Sequence, residues 1–174
     1  MSNLRLIDET TATAGVTTIR VEDVFSADFD TYKITFTTDG NSTTAFDCDA
    51  RLINASGTSI ATANYDRAFL NQLALSAYSE PRAPNTNQFN ALFGTADQEP
   101  EYASGVIYVF NPYSSSSYTY VTQQSFQRHS SLGFARAYIG VLKLLTSCTG
   151  IEAIATSSAF NSDTQIRTYG LRVD

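Results

Sequence analysis

The sequence predicts an all-β fold: a two-sheet, jelly-roll-like β-sandwich with a short extended N-terminal arm. Aromatic residues make up 12% of the 174 residues, with ten Tyr and eleven Phe, while Lys occurs only at Lys33 and Lys143. β-branched and aromatic side chains pack well on pleated sheets, where long flexible ones are not needed. Turn-forming residues recur about every ten to fifteen positions, a spacing typical of many short strands. We therefore expect one sandwich domain at 16–174, preceded by an arm at 1–15.

The start of the chain predicts this arm and then a strand. Residues 4–9 are a short strand or extended peptide, and small residues at 10–15 separate them from a strand at 16–21. Residues 24–31 are rich in Ser, Asp and Thr, whose side chains hydrogen-bond their own backbone. They predict a compact turn.

The next two segments alternate apolar and polar residues, which is the period of a half-buried strand. The inward positions are Tyr32, Ile34 and Phe36 in the first segment and Phe46, Cys48, Ala50 and Leu52 in the second. Asp39-Gly40-Asn41-Ser42 between them predicts a tight hairpin turn.

The rest of the chain contains longer apolar segments. Residues 65–78 fit either a long strand or a helical turn, and so do residues 134–145, where Gly140 indicates a bulge or a close backbone approach. Residues 105–110 are apolar on both faces, which predicts a strand covered from two sides. Two further strands complete the chain, at 151–156 and 164–172.

The charge pattern argues against two classes of partner. The formal net charge is −6, and the eleven Lys and Arg residues are scattered singly. Nucleic-acid binding needs a concentrated positive face, and an acidic surface repels anionic lipid, so neither a nucleic acid nor a membrane is expected. The first residues lack the apolar region of a signal peptide, and no apolar stretch reaches the roughly 18 residues that span a bilayer. We expect a soluble protein made in the cytoplasm.

Cys48 and Cys148 are the only cysteines. Cytoplasmic thiols are usually reduced, and Cys48 occupies a core-facing position where Cys behaves as a small apolar residue. Two free thiols are therefore expected.

Catalytic machinery is sparse. The single histidine, His129, lies among polar, turn-forming residues, which favours an exposed side chain over a catalytic base. No His and Cys cluster has zinc-ligand spacing, and no glycine-rich phosphate loop is present. We expect a non-enzymatic protein with no catalytic residue, cofactor or metal.

Paired carboxylates are the remaining route to glycoside hydrolysis, which needs only two. Asp47 and Asp49 share the outward face of a strand with Arg51 as a nearby counter-charge, and Glu99 and Glu101 flank a proline in a loop. Neither pair adjoins an aromatic platform for a sugar. A solvated strand face and a solubilising loop are the favoured interpretations.

Two turns offer oxygen ligands for calcium, Asp28-Phe29-Asp30 and Asp39-Gly40-Asn41. Neither follows the spacing of a calcium loop. Turn formation by Asp and Asn is the favoured role.

Four tyrosines surround the serine-rich loop 114–117: Tyr108, Tyr113, Tyr118 and Tyr120. Tyr and Ser are common on recognition surfaces, and they are equally ordinary on sandwich strands. Tyr113 and Tyr118 are the candidate interaction surface, for another subunit or for a receptor.

Several segments, in order, resemble motifs of a family of small jelly-roll-like surface domains of tailed-phage virions. Residues 26–36, SADFDTYKITF, resemble its S-x-x-Y/F-D-x-Y-K-I strand, and residues 105–112, GVIYVFNP, resemble its SG-x-I-x-I-F-N-P strand. The ending is similar too, since GIEAI at 150–154 and TQIRTYGL at 164–171 resemble GI-x-I … G-x-I-x-V-YGL. The resemblance covers nearly the whole chain from Val16.

The resemblance implies a jelly-roll-like fold and homo-oligomers, commonly trimers, on capsid surfaces or tail fibres, and it supplies no catalytic residues. Such domains often end a long fibre chain, whereas here we expect only the arm at 1–15 before the first strand of the domain. This difference favours a capsid decoration (cement) protein or a small fibre-like subunit, located in the virion and bound to other virion proteins. Leu4, Leu6 and Ile7 are the candidate residues that anchor it to the particle.

Two other functions stay open. A tail-fibre or receptor-binding tip would recognise a host-surface glycan through loops such as 114–117. A polysaccharide-degrading enzyme is the third alternative.

Overall fold

Strands account for the regular secondary structure of the described chain. The structure is a computed structural model that describes residues 3–39, 47–74, 78–94, 102–129 and 132–172. Twelve strands lie in these ranges: β1 Leu4–Thr11, β2 Thr18–Val21, β3 Thr31–Asp39, β4 Cys48–Asn54, β5 Tyr65–Leu73, β6 Arg82–Thr86, β7 Phe89–Gly94, β8 Tyr102–Phe110, β9 Thr119–His129, β10 Leu132–Leu142, β11 Cys148–Ala155 and β12 Gln165–Leu171. These ranges contain no helix long and apolar enough to cross a membrane.

The strands form two antiparallel sheets that enclose one apolar core. The larger sheet has the order β1-β12-β3-β8-β9-β10-β5-β6, and the smaller sheet has the order β2-β11-β4-β7. Inward side chains of both sheets meet in a single core cluster. The prediction of an all-β, two-sheet sandwich is therefore confirmed.

Eight of the strands have the connectivity of a jelly roll. Strands β1, β2, β3 and β4 pair with β12, β11, β8 and β7, which makes one long antiparallel ribbon. The ribbon is rolled up, because β12 also pairs with β3 and β11 also pairs with β4. A double-sheet arrangement of this kind is a jelly roll. The other four strands, β9, β10, β5 and β6, continue the larger sheet beyond β8 and are called the extension below.

The two alternating segments face the core as predicted. Tyr32, Ile34 and Phe36 on β3 are at most 3% exposed. The inward residues of β4, namely Cys48, Ala50 and Leu52, are at most 4% exposed. Phe46 and positions 40–42 of the predicted hairpin turn lie outside the described residues.

A compact turn precedes β3, also as predicted. The Tyr32 hydroxyl accepts a hydrogen bond from the Ser26 backbone N (2.7 Å) and donates one to the Ser26 carbonyl (2.9 Å). The Tyr32 ring packs edge-on against Phe25 and Phe29. Asp28 accepts a hydrogen bond from the Ser26 hydroxyl, which is the turn-forming role expected of it.

Both ambiguous apolar segments contain strands, and the helical alternatives are wrong. β5 pairs with β10 without a bulge from Tyr65↔Leu142 to Leu73↔Phe134, and residues 75–77 lie outside the described chain. Gly140 marks a close approach, because a Cβ there would lie 2.7 Å from Cε1 of Phe89. The tertiary partner of each strand, rather than its local pattern, decides these cases.

The N-terminal segment is extended, as expected, but most of it belongs to the larger sheet. β1 pairs with β12 from Leu4↔Leu171 to Thr11↔Gln165 and forms a sheet edge. A bulge between Leu6 and Asp8 interrupts the register, and Ile7 packs against the core. Edge strands often carry charged and polar residues, which is why the sequence of β1 resembles a separate arm.

Candidate functional site

The larger sheet has one face against the core and a second face that no part of the described chain covers. On β8, Ile107 and Val109 face the core and are fully buried, whereas Tyr108 faces outward and is 36% exposed. Val106 and Phe110, also outward, are half-buried. The prediction that this strand is covered from two sides is therefore wrong for the isolated chain, because the smaller sheet packs on one side only.

The outward side chains of β8, β9, β10 and β5 form one continuous surface, called the apolar face. Strand register places Tyr108 beside Thr122, Thr122 beside Ile139, and Ile139 beside Ala68. The members of the apolar face are Val106, Tyr108, Phe110, Tyr120, Thr122, Gln124, Phe126, Ala137, Ile139, Val141, Ala68 and Leu70.

Exposed apolar side chains concentrate on this side of the molecule. Ten large hydrophobic side chains of the described chain are exposed, and six of them point outward from the larger sheet. Four belong to the apolar face, including Phe126 at 60% and Ile139 at 62% exposed, and the other two are Leu4 and Leu6 on β1. Contiguous exposed apolar surface marks interaction sites in soluble proteins, whereas scattered single residues do not.

Charged groups lie at the borders of this surface. Among the side chains that the structure describes, the outward positions of β8, β9 and β10 hold no Asp, Glu, Lys or Arg. At one border Lys33 of β3 lies directly beside Tyr108, and beyond it Arg167 of β12 hydrogen-bonds Glu9 of β1 (3.0 Å), which lowers the pKa of Glu9. At the other, β5 contributes one outward charge, Asp66 beside Val141, and Lys143 lies 2.8 Å from Asp66 and lowers its pKa. The surface between them suits an uncharged partner.

Two shallow depressions shape the apolar face. One has a volume of about 770 Å³ and lies between Tyr108 and the 80–82 segment. The other has a volume of about 450 Å³ and is bordered by Tyr120 and Val141. Both are lined by Ile139, which projects between them.

Strand β9 inverts the usual distribution of polar and apolar side chains. Beyond the buried Val121, its core-facing side holds Gln123, Ser125 and Gln127, each at most 6% exposed. Its outward side holds Tyr120 at 47% and Phe126 at 60% exposed. Burying amides and hydroxyls costs free energy unless they find partners, whereas burying aromatic rings is favourable. The aromatic side chains of β9 would therefore contribute favourable free energy of burial if a partner covered them.

A buried polar layer holds the extension against β7. Arg136 on β10 donates hydrogen bonds to Asn71 Oδ1 (2.9 Å) and to the Ala91 carbonyl (2.7 Å). Asp49 on β4 accepts hydrogen bonds from the Ala91 backbone N (2.6 Å) and from Asn90 Nδ2 (2.9 Å). Burial lowers the pKa of Arg136 and raises the pKa of Asp49. This layer fixes the extension, so the apolar face is preformed.

The carboxylate pair at the start of β4 is only partly as predicted. Asp47 has an exposed side chain, with its Oδ1 3.8 Å from Nη2 of Arg136. Asp49 is 3% exposed, so a solvated strand face is the wrong interpretation for it, because the β6–β7 turn and β7 cover it. Arg51 is not its counter-charge, since Arg51 donates to the Gln88 side chain (2.7 Å).

The other residues singled out for chemistry do not come together. Within the described ranges no three His, Cys, Asp or Glu side chains are placed to hold one metal ion. Cys48 and Cys148 are unbridged and buried, and burial raises the pKa of Cys148 to about 12. Glu99, Glu101, the Gly40-Asn41 pair and the His129 side chain lie outside the described part.

The candidate anchoring residues divide into two groups. Leu4 is 38% exposed and Leu6 is 50% exposed, and both point to the same side of the larger sheet as the apolar face. Cross-strand register connects Leu6 to Tyr108 through Tyr169 and Lys33. Ile7 instead stabilises the sandwich through its core contact.

The two candidate tyrosines lie in different places. Tyr113 lines an open cleft of about 350 Å³ at one end of the sandwich, together with Asp30, Asn111 and the hydroxyls of 114–116. Tyr118 is 40% exposed and directly precedes β9, outside the lining of that cleft.

Ile139 and Phe126 are the main residues that sequence reasoning missed. The signal was present in the alternation of β9 and β10, whose outward positions carry apolar or uncharged residues throughout the described side chains. Reading it required knowing which side of each strand meets the core.

A scan against models of protein families and a search of curated proteins find no match to the chain.

Proposed function

We propose that the protein is a non-enzymatic structural subunit on the exterior of a tailed-phage particle, and that it assembles through the outer side of its larger sheet. A capsid decoration protein or a small fibre-like subunit fits this role. The observation that carries the proposal is the preformed apolar face, with Ile139 at 62% and Phe126 at 60% exposed and no charge on the described outward positions of β8, β9 and β10. Such a surface is typical of proteins whose task is association.

The sequence motifs that resemble phage surface domains lie together in space. They map onto the turn before β3 and onto β3, β8, β11 and β12. Strands β12, β3 and β8 are neighbours in the larger sheet, and all four strands belong to the rolled ribbon. The resemblance thus concerns the jelly roll, while the extension that completes the apolar face is outside the matched motifs.

Attachment to a particle is best tested with point substitutions in β1. Deleting residues 2–14 would remove the strand that pairs with β12, so loss of binding would not separate anchoring from folding. Leu6→Glu changes an outward side chain on the same strand, and Leu145→Glu, at a side chain 64% exposed between β10 and β11, is the matched control. Purified particles should carry the wild-type chain and the control at equal occupancy and Leu6→Glu at much lower occupancy.

Immunogold labelling of intact particles supplies the second measurement. We expect label on the particle exterior and the chain in the mass spectrum of washed particles. A chain that is absent from washed particles would contradict the proposal.

Glycan recognition is a second candidate function, favoured by the cleft at Tyr113. The cleft combines two aromatic side chains, Phe29 and the 40% exposed Tyr113, with a carboxylate and several hydroxyls, the groups that contact sugars. Labelled wild-type protein should then stain host cells, and Tyr113→Ala should not. Equal staining by both would remove this candidate.

A further inference from the structure

We infer that the apolar face binds the same face of a second copy of this chain, in a two-fold dimer in which Ile139 of each copy fills a depression of the other. This inference names the partner of the face in the proposed function and rests on it.

The strand edges are poorly suited to joining another chain. On β1, the charged residues Arg5, Asp8 and Glu9 accompany a bulge. β6 contains Pro84, and β7 contains Ala91 with a φ of 60°. The fourth edge, β2, has only four residues. Charges, proline, bulges and short length all oppose edge-to-edge pairing, so association by sheet extension is disfavoured and face packing is the remaining route.

The size of the apolar face suits a dimer. β8, β9, β10 and β5 contain nine to eleven residues each. At about 4.8 Å between strands and about 3.3 Å per residue, four such strands cover roughly 600 Å². A standard interface buries about 800 Å² of accessible surface on each partner, and side-chain relief makes accessible area larger than a flat footprint. The face is therefore close to the area that a stable dimer needs.

The charge distribution also favours a second copy. Each chain carries a net charge of −6, so two copies approach most favourably through a surface that brings no like charges into close contact. The outward side of the smaller sheet is charged: Arg20 lies 2.6 Å from Glu22 and 3.0 Å from Glu152. Packing through the apolar faces leaves those groups in water and brings no charged side chain of β8, β9 or β10, within the described set, to the interface. Asp66 and Arg67 of β5 line the smaller depression, and Asp66 is paired with Lys143 (2.8 Å).

The relief of the face is self-complementary. Ile139 projects beside the depression of about 450 Å³ that Tyr120 and Val141 border. In a two-fold contact, if residue i of one copy touches residue j of the other, then j also touches i. A two-fold axis between Ile139 and this depression therefore places Ile139 of each copy in the depression of the other copy. Two sheets packed face to face in this way resemble a β-sandwich made between chains.

The mass of the full chain in solution tests the inference. Light scattering after gel filtration and sedimentation equilibrium should give a dimer for the wild type. Ile139→Lys and Tyr120→Lys should each raise the dimer Kd by about 30-fold or more, as expected for a residue central to an interface. Leu145→Lys, at an equally exposed apolar residue outside the face, should leave the Kd unchanged. Circular dichroism of each variant checks that it is folded.

Cross-linking supplies a geometric test. Cys48 and Cys148 are buried, so a cysteine introduced on the surface is the reactive thiol of the native chain. A short bifunctional thiol reagent should join Ile139→Cys chains in pairs, because these residues lie near the axis. Ser115→Cys, exposed in the loop before β9, should stay uncrosslinked.

Three results would overturn the inference: a wild-type chain that is monomeric at the highest concentration it tolerates, a trimer, or a dimer that both lysine variants leave intact. The particle-binding experiments test the proposed function independently of the dimer. A monomeric chain that still binds particles refutes the dimer alone, while a dimer absent from particles refutes the virion role.

Discussion

The hydroxyl of Tyr65 connects the extension to the jelly roll, and its removal is the sharpest test of how the two are joined. Tyr65 begins β5 and is fully buried. Its hydroxyl accepts a hydrogen bond from the Leu52 backbone N on β4 (3.1 Å) and donates one to the Ile60 carbonyl (2.9 Å). Tyr65→Phe removes one oxygen atom and keeps the ring, which packs edge-on against Phe89 at 4.7 Å.

The expected loss follows from the two backbone groups left without that partner. A buried polar group that loses its hydrogen bond costs about 1–3 kcal/mol, and both the Leu52 amide and the Ile60 carbonyl are affected. We expect Tyr65→Phe to lower the free energy of unfolding by about 2–4 kcal/mol. With urea m-values of about 1–3 kcal/mol/M, the midpoint should fall by roughly 1–2 M.

The assay is urea unfolding followed by circular dichroism at one fixed protein concentration, because dimerisation would make stability concentration-dependent. Tyr113→Phe, at a side chain 40% exposed, is the control and should change stability by less than about 0.5 kcal/mol. A Tyr65→Phe loss as small as that of the control would refute the reasoning. It would mean that Tyr65 does not hold β5 against β4.

Three further predictions concern packing, pH and thiols. Gly140→Ala places a Cβ 2.7 Å from a core phenylalanine ring and should cost about 1–3 kcal/mol in urea unfolding, whereas Gly133→Ala, with its nearest neighbour 4.0 Å away, should cost much less. The pKa of Asp49 is raised above its usual 3.8 by burial, so its contribution to stability is present below pH 3.8 and is lost as pH rises through the folded-state pKa. Between about pH 4 and 7 the wild type should therefore lose stability relative to Asp49→Asn, and a pH-independent difference would contradict this. Cys48 and Cys148 are buried with raised thiol pKa values, so a thiol reagent should titrate none in native protein and two after denaturation.

The strands of the rolled ribbon were the most predictable part of the fold. Tyr32, Ile34 and Phe36 face a core that lies on one side only, so their period of two is visible in the sequence. Residues 65–78 and 134–145 were ambiguous because β5 finds its partner β10 more than sixty residues away, from Tyr65↔Leu142 onward. Local pattern carries no information about that partner.

The polar interior of the extension could not be predicted. Gln123, Ser125 and Arg136 are at most 6% exposed, although residues of these types are usually found at the surface. The prediction that Asp49 is solvated was wrong for the same reason, since its hydrogen-bond partners on β7 lie about forty positions later in the sequence. Burial of such groups depends on hydrogen-bond partners that only the tertiary structure supplies.

The expectation that β8 is covered on both sides is wrong for the single chain, but the composition that prompted it has a physical explanation. Residues 105–110 have the composition of a strand covered twice, and the second cover would be present if another chain packs on the apolar face. By the same reasoning the outward side of β3, which holds Thr31, Lys33 and Thr35, should stay in contact with water. That polar strip separates the apolar face from the outward leucines of β1 and their partners Tyr169 and Leu171 on β12. Two contacts divided in this way are what a subunit needs if it pairs with its own copy through one surface and holds a particle through the other.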